Sequence, residues 1–193
     1  MNKLSLVLAI LLLAGCKNNK KPENNVEVFP AISLIKGQVK HVDTSLYNII
    51  KIETVDGRSD TSFVKREDFK KLAKEFTEVP DISSPKIKND YVEDQFYDET
   101  LQSIILTYIT TEKDNEVQRQ DVIINQANAS GNNDVETIIL HTMKNKSRTD
   151  IDKNMVWYVN KKFLVVTKSN RKNEPEKIHK LEVIWNDGST TQL

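Results

Sequence analysis

The first regular pattern of hydrophobic positions in the folded part of the chain is helical. From Ile32 to Val42 the apolar residues are three or four positions apart, which places them on one face of a helix. A second helix is predicted over 65–77, where apolar residues again form one stripe. Between the two helices, residues 47–64 predict a β-hairpin, because Asp56-Gly57 is a strong two-residue turn signal.

After about residue 90 the pattern changes to that of antiparallel strands. The final strand is the clearest, since Leu181, Val183 and Trp185 alternate with polar neighbours. Other segments are apolar on both faces, as at Ile138-Ile139-Leu140, which predicts cover on both sides of the sheet. The predicted strands are 91–97, 101–111, 116–125, 134–144, 151–160, 162–170 and 176–186.

These elements predict an α+β fold for a single domain over 29–193. Two N-terminal helices, with a β-hairpin between them, would pack on a curved antiparallel meander sheet of about seven strands that forms a partial barrel. Several similar stretches recur 61 positions apart, among them 121–125 and 182–186. Either a duplicated three-strand unit or the ordinary likeness of meander strands explains this recurrence.

The segment before the domain has the pattern of a bacterial export signal. Lys3 gives a positive start and residues 4–13 are apolar apart from one serine, which is about half the length that a membrane-spanning helix needs. Leu13-Ala14-Gly15-Cys16 follows and resembles the lipobox, in which signal peptidase cuts before a lipidated cysteine. This resemblance implies a signal peptide at 1–15, palmitate and diacylglycerol on Cys16, and a membrane anchor.

Residues 16–28 are predicted to be the lipidated cysteine and a flexible tether to the domain, since 17–25 are polar throughout and contain Pro22. Cys16 is the only cysteine in the chain. Its lipidation therefore predicts a domain without a disulfide, a cysteine nucleophile or a cysteine metal site.

Charge and motif content then narrow the class of function. The chain has 28 basic and 28 acidic residues, a balance that excludes electrostatic nucleic-acid binding as its main activity. His41, His141 and His179 have no spacing typical of a helical metal pair, and 150–154 matches only the first half of a calcium loop. Without a catalytic or phosphate-binding motif, the sequence predicts a non-enzymatic protein with no cofactor.

Aromatic residues of the sheet region are the remaining candidates for a site. Phe96, Tyr97, Trp157, Tyr158 and Trp185 either belong to the core or line a cavity for an apolar ligand within the curved sheet.

Together with the lipobox, the stretch Phe29-Pro30 and Ile35-Lys36-Gly37-Gln38 resembles small Bacteroidota lipoproteins of uncharacterised activity. In that group acidic residues after the cysteine mark export to the cell surface, and this chain has Lys17 and Lys20-Lys21 instead. The resemblance implies an outer-membrane lipoprotein that faces the periplasm. We expect it to be a binding or scaffold module for a periplasmic or envelope protein; the alternative is a carrier or sensor of an apolar ligand.

Overall fold

The structure, a computed structural model, describes residues 27–125, 134–146 and 148–186. The predicted signal peptide, the lipobox residues Leu13, Ala14, Gly15 and Cys16, and the tether before residue 27 lie outside the described residues. The described residues therefore belong to the predicted domain at 29–193 and to the two positions that precede it.

The described chain has three α-helices, a short 3₁₀ helix at Lys88–Asp90 and nine strands. The helices are α1 (Ala31–Thr44), α2 (Arg66–Leu72) and α3 (Lys74–Thr77). The strands are β1 (Ile49–Val55), β2 (Arg58–Val64), β3 (Tyr91–Asp98), β4 (Ser103–Thr110), β5 (Val117–Asn125), β6 (Asp134–Lys146), β7 (Thr149–Tyr158), β8 (Lys162–Arg171) and β9 (Lys177–Ile184). They form one antiparallel sheet in the order β2-β1-β9-β8-β7-β6-β5-β4-β3.

The predicted fold class is wrong. The sheet has nine strands and is not a seven-strand partial barrel, and three short helices accompany it in place of two helices with a separate hairpin between them. The hairpin belongs to the sheet because β1 pairs with β9, with Ile50 opposite Ile184. A two-stranded hairpin alone is marginally stable, and this pairing satisfies the second edge of β1. The helix predicted at 65–77 is divided at Ala73, where ψ is −11°.

The helices cover one face of the sheet, which we call the covered face. All five apolar residues that α1 buries belong to the same core cluster as the inward side chains of the central strands. The centre of this core is aromatic: neighbouring ring centroids of Phe69, Phe76, Trp157, Phe163 and Trp185 lie 5.2 to 6.2 Å apart. Burial of such rings stabilises the fold by several kcal/mol each, about 3–5 kcal/mol by truncation to alanine.

One side chain of α1 fixes the helix on the sheet. The amide oxygen of Gln38 accepts hydrogen bonds from Trp157 Nε1 at 3.1 Å and from the backbone N–H of Asn160 at 2.8 Å. Its Nε2 donates to Asn160 Oδ1 at 2.9 Å. Asn160 has a φ of 60°, which asparagine tolerates better than most residues. The indole N–H, which would be costly to bury alone, is thereby satisfied.

The recurrence at 61 positions does not extend through a whole three-strand unit. Displacing β3, β4 and β5 by this interval brings them close to β7, β8 and β9, but the registers of the first hairpins differ. Phe96 lies opposite Ile105, whereas Trp157 lies opposite Phe163. As a result Phe96 is 45% exposed and Trp157 is fully buried.

Candidate functional site

The second face of the sheet carries its own set of apolar side chains. Successive residues of a strand point to opposite faces, so Ile138 and Val165 enter the core while Ile139 and Val166 point away from it. Ile105 is only 9% exposed, yet it does not belong to the core cluster. Within the described ranges, every buried residue of the helices belongs to that cluster, so the helices leave this second face uncovered. We call it the open face.

The open face is defined by three rows of side chains that run across the sheet from β2 to β3. The first row is Phe63, Ile50, Ile184, Lys162, Tyr158, Thr137, Ile123, Ile105 and Phe96. The central row is Thr61, Ile52, Glu182, Leu164, Val156, Ile139, Asp121, Thr107 and Asp94. The third row is Ser59, Thr54, Lys180, Val166, Asn154, His141, Arg119, Ile109 and Val92.

The middle of the open face is apolar. Ile139, Val156 and Leu164 are directly opposite one another on three adjacent strands, and all three are half-buried. β-Branched and aliphatic neighbours of this kind stabilise a sheet by mutual contact. They also leave a continuous apolar area, and such areas on a protein surface mark interaction sites more often than single exposed residues do.

A network of opposite charges borders this apolar area on one side. Glu182 accepts a hydrogen bond from Lys162 Nζ at 2.9 Å, and Lys180 Nζ lies 3.5 Å from its other oxygen. Partial burial opposes ionisation of Glu182, but the two lysines outweigh this effect and lower its pKa. The same hydrogen bond raises the pKa of Lys162. Lys162 also lies over the Tyr158 ring, 5.3 Å from its centroid.

A buried carboxylate borders the apolar area on the other side. Asp121 is 7% exposed and accepts hydrogen bonds from Thr107 Oγ1 at 2.6 Å and from Arg119 Nε at 2.8 Å. The bond to this carboxylate raises the pKa of the Arg119 guanidinium. Beside it, His141 Nε2 lies 3.1 Å from Asp152 Oδ2. The three rows carry three carboxylates, on Asp94, Asp121 and Glu182, and three lysine or arginine cations, on Arg119, Lys162 and Lys180, so the lysine, arginine and carboxylate charges of these rows balance.

The structure separates the five aromatic residues that the sequence put forward as ligand-lining. Trp157 and Trp185, 0% and 3% exposed, are part of the aromatic core. Tyr158 lies on the open face beside Lys162. Phe96 and Tyr97, 45% and 50% exposed, are on edge strand β3.

The other clusters of charged side chains considered as candidate sites consist of residues that already pair with one another. Three ion pairs line a cleft of about 150 Å³ between α3 and strands β5 to β7, and they join Lys74 to Glu78, Lys144 to Glu116 and Lys153 to Glu75. His179 lies 2.7 Å from Glu53. In the described part of the chain, no three histidine, cysteine or acidic residues are grouped closely enough to hold a metal ion.

Among the residues that the structure describes, none of the helices is both long and apolar enough to span a bilayer.

Sequence reasoning missed most of the open face. The sequence does contain strands that are apolar on both faces, such as Ile138-Ile139-Leu140, and these contribute to the open face. That pattern, however, predicts that both faces of the sheet are covered. The sequence could not reveal that Asp121 is buried and bonded to Thr107, because the two residues are 14 positions apart and meet only through the register of β4 and β5.

Comparison with known proteins adds no relative: neither a protein-family model, nor a curated protein, nor a solved structure matches the chain. The function is therefore inferred from the geometry of the sheet.

Proposed function

We propose that this protein is a non-enzymatic, membrane-anchored binding module and that a protein partner docks on the open face of its sheet. The observation that carries the proposal is the apolar area around Ile139, Val156 and Leu164, which is outside the core cluster. Helices bury the equivalent side chains on the covered face, so a partner would supply the corresponding contacts here.

The dimensions of the open face fit a protein interface. Nine strands spaced about 4.8 Å apart, each contributing the five residues that the three rows span at about 3.4 Å, give an area on the order of 700 Å². A specific interface of standard size buries about 800 Å² on each partner. The three rows therefore provide most of the area of such an interface, with an apolar centre and a polar rim.

The charges of the face favour a protein partner of low net charge. Its three cations and three carboxylates balance, and each cation has a carboxylate partner within the face. A polyanion such as nucleic acid would gain little from such a surface. These groups would instead supply hydrogen bonds and orientation at the rim, where charge contributes more to specificity than to affinity.

The membrane anchor in this proposal rests on the sequence. Leu13-Ala14-Gly15-Cys16 supports lipidation, and Lys17, which follows the cysteine, supports a periplasmic location at the outer membrane by resemblance to Bacteroidota lipoproteins. A docking module on such an anchor would hold its partner beside the membrane. Restriction to the membrane would raise the effective concentration of the two proteins.

Site-specific photocrosslinking in intact cells tests the docking surface. A photoreactive residue at Val156, on the open face, should form an adduct with one protein. The matched position Lys40, which is exposed on α1, should form none. Ile139→Asp should abolish the adduct formed from Val156 while the protein stays folded.

Three outcomes would overturn the proposal. Equal adducts from positions 156 and 40 would mean that contact is indiscriminate, and an adduct that survives Ile139→Asp would place the contact elsewhere. An adduct with a lipid alone would favour the alternative function, a carrier or sensor of an apolar ligand, with the ligand on the open face.

A further inference from the structure

A second surface, at the edge of the sheet, has the chemistry of a peptide-binding site. We propose that the outer edge of β3 accepts an extended, lysine- or arginine-bearing segment of a partner protein as a tenth strand. This site lies at one end of the sheet and does not require that the open face be a docking surface.

The outer edge of β3 presents backbone N–H and C=O groups with which an added strand could form hydrogen bonds. β3 pairs with β4 on one side only, over eight residue pairs from Tyr91↔Thr110 to Asp98↔Ser103. The N–H of Thr111 donates to the carbonyl of Asp90 at 2.7 Å, which sets the alternation of the ladder. By that alternation Glu93, Gln95 and Tyr97 direct their N–H and C=O groups to the outer edge. Within the described ranges no other strand pairs with them, and such an edge is a template for strand addition.

The charge of the edge specifies the partner. From residue 91 to 110, β3, β4 and their turn carry four carboxylates, those of Glu93, Asp94, Asp98 and Glu99, and no lysine or arginine. Among the residues that the structure describes, none of the four makes an ion pair. Lysine or arginine side chains on an added strand would lie beside Glu93, Asp94 or Asp98, the three carboxylates on β3 itself, and opposite charges across a strand pair are stabilising.

Exposed apolar side chains provide the remaining contacts. Ten large hydrophobic residues of the described chain are exposed, and five of them are on β3, on β4 or in the turn between them: Val92, Phe96, Tyr97, Leu101 and Ile109. A groove of about 560 Å³ at this edge is lined by Gln95, Phe96, Tyr97 and Ile104. Successive side chains of an added strand point to opposite faces, so a segment that alternates cationic and apolar residues would place its cations beside Asp94 and Asp98, on the face of Phe96, and its apolar residues beside Tyr97.

The same charges argue against a second copy of this chain as the partner. Two β3 edges paired antiparallel would bring the carboxylates of Glu93, Asp94 and Asp98 of each copy close to those of the other. Like charges opposite each other destabilise a strand pair, and charge on an edge strand is a known barrier to self-association. The other edge, β2, lacks this acidic character because Arg58 accompanies Asp60.

A designed peptide tests the proposal. The probe is a fluorescent (Lys-Val)₄ amide, with (Glu-Val)₄ as the charge-reversed control, and binding to the full-length protein is measured by anisotropy. The cationic peptide should bind and should protect the amides of Glu93, Gln95 and Tyr97 from hydrogen exchange. Gln95→Pro, which removes an outward N–H that an edge strand can lose, should weaken binding about tenfold or more. Thr61→Pro, the matched change on the β2 edge, should leave binding unchanged.

The controls separate this proposal from that of the open face. Ile139→Asp should leave binding of the cationic peptide unchanged, because Ile139 is three strands away from β3. The proposal is overturned if the cationic peptide fails to bind, if (Glu-Val)₄ binds equally, or if protection appears at β2 and not at β3. The hydrogen-exchange measurement uses the unmodified protein and decides the matter even if Gln95→Pro does not fold.

Discussion

Two neighbouring isoleucines on β6 give a direct test of the two-faced sheet. Ile138 is fully buried in the core, opposite Val122 and Trp157. Ile139 is half-buried on the open face, opposite Asp121 and Val156. The two share residue type, strand and backbone geometry, and differ in what covers them. Truncation of each to alanine therefore compares the faces directly.

The expected losses differ by several-fold. Ile138→Ala removes about three methylene equivalents at ~0.8 kcal/mol each and leaves a cavity, for a total of about 3–4 kcal/mol. Ile139→Ala removes the same groups from a half-exposed surface and leaves no closed cavity, so it should lower the free energy of unfolding by about 1 kcal/mol. Since a domain of this size has a total stability of about 5–15 kcal/mol, the first change is severe and the second is mild.

Urea unfolding followed by tryptophan fluorescence measures both losses, because both tryptophans, Trp157 and Trp185, are in the core beside the helices. The slope of the free energy with urea should be the same in both variants, so that the midpoints report stability alone. Equal losses of about 3 kcal/mol would refute the reasoning, since they would mean that Ile139 is as well covered as Ile138. A small loss of stability for Ile139→Ala, together with a clear loss of partner binding, is the result that the docking proposal expects.

Three further predictions concern ionisation and the anchor. Burial raises the pKa of Tyr91 and of Tyr108 to about 12, so both stay protonated in the folded state at pH values where the unfolded chain releases these protons. The free energy of unfolding should therefore fall by about 3–5 kcal/mol as pH rises from about 10 to 12. In urea titrations, Tyr108→Phe should make this fall smaller. The pKa of Glu182 is lowered despite partial burial, through its bonds to Lys162 and Lys180. Its contribution to the free energy of unfolding is therefore present above its unfolded pKa and lost in acid. Glu182→Gln should destabilise the protein more at about pH 7 than at about pH 3, and an equal effect at both pH values would contradict this assignment. Cys16→Ser should prevent palmitate labelling and release the protein from membranes, and equal labelling of the variant would exclude the lipobox.

Local patterns predicted the strands well because alternation is a property of neighbouring residues. Leu181, Val183 and Trp185 are buried as the last strand required, and Asp56 and Gly57 have the positive φ values of a two-residue hairpin turn. The polar face of β9 is less exposed to solvent than its alternating pattern suggests. The side chain of Glu182 is only 15% exposed, because it lies between Ile52 and Leu164 on the adjacent strands.

Long-range pairing set the limit of what the sequence could predict. Nothing local to Ile50 indicates that its neighbour is Ile184, so the predicted number of strands and the predicted place of the hairpin are wrong. Doubly apolar segments such as Ile138-Ile139 carry the same pattern whether one or both faces are covered. The helix break at Ala73 has no glycine or proline to mark it. The acidic edge of β3 is visible in the sequence only as a small group of carboxylates, and the topology places it at the end of the sheet.

The position of β9 bears on the order in which the protein can assemble. β9 is the last strand of the described chain, yet it lies inside the sheet between β1 and β8. Until it arrives, the hairpin β1–β2 and the meander from β3 to β8 are two separate pieces, each with an unpaired edge. Such non-local closure is slow relative to local folding, and unpaired edges are prone to aggregation. If the chain is exported N-terminus first, as we propose, this topology delays completion of the sheet until β9 has crossed the membrane, and chaperones would have to protect the unpaired edges until then.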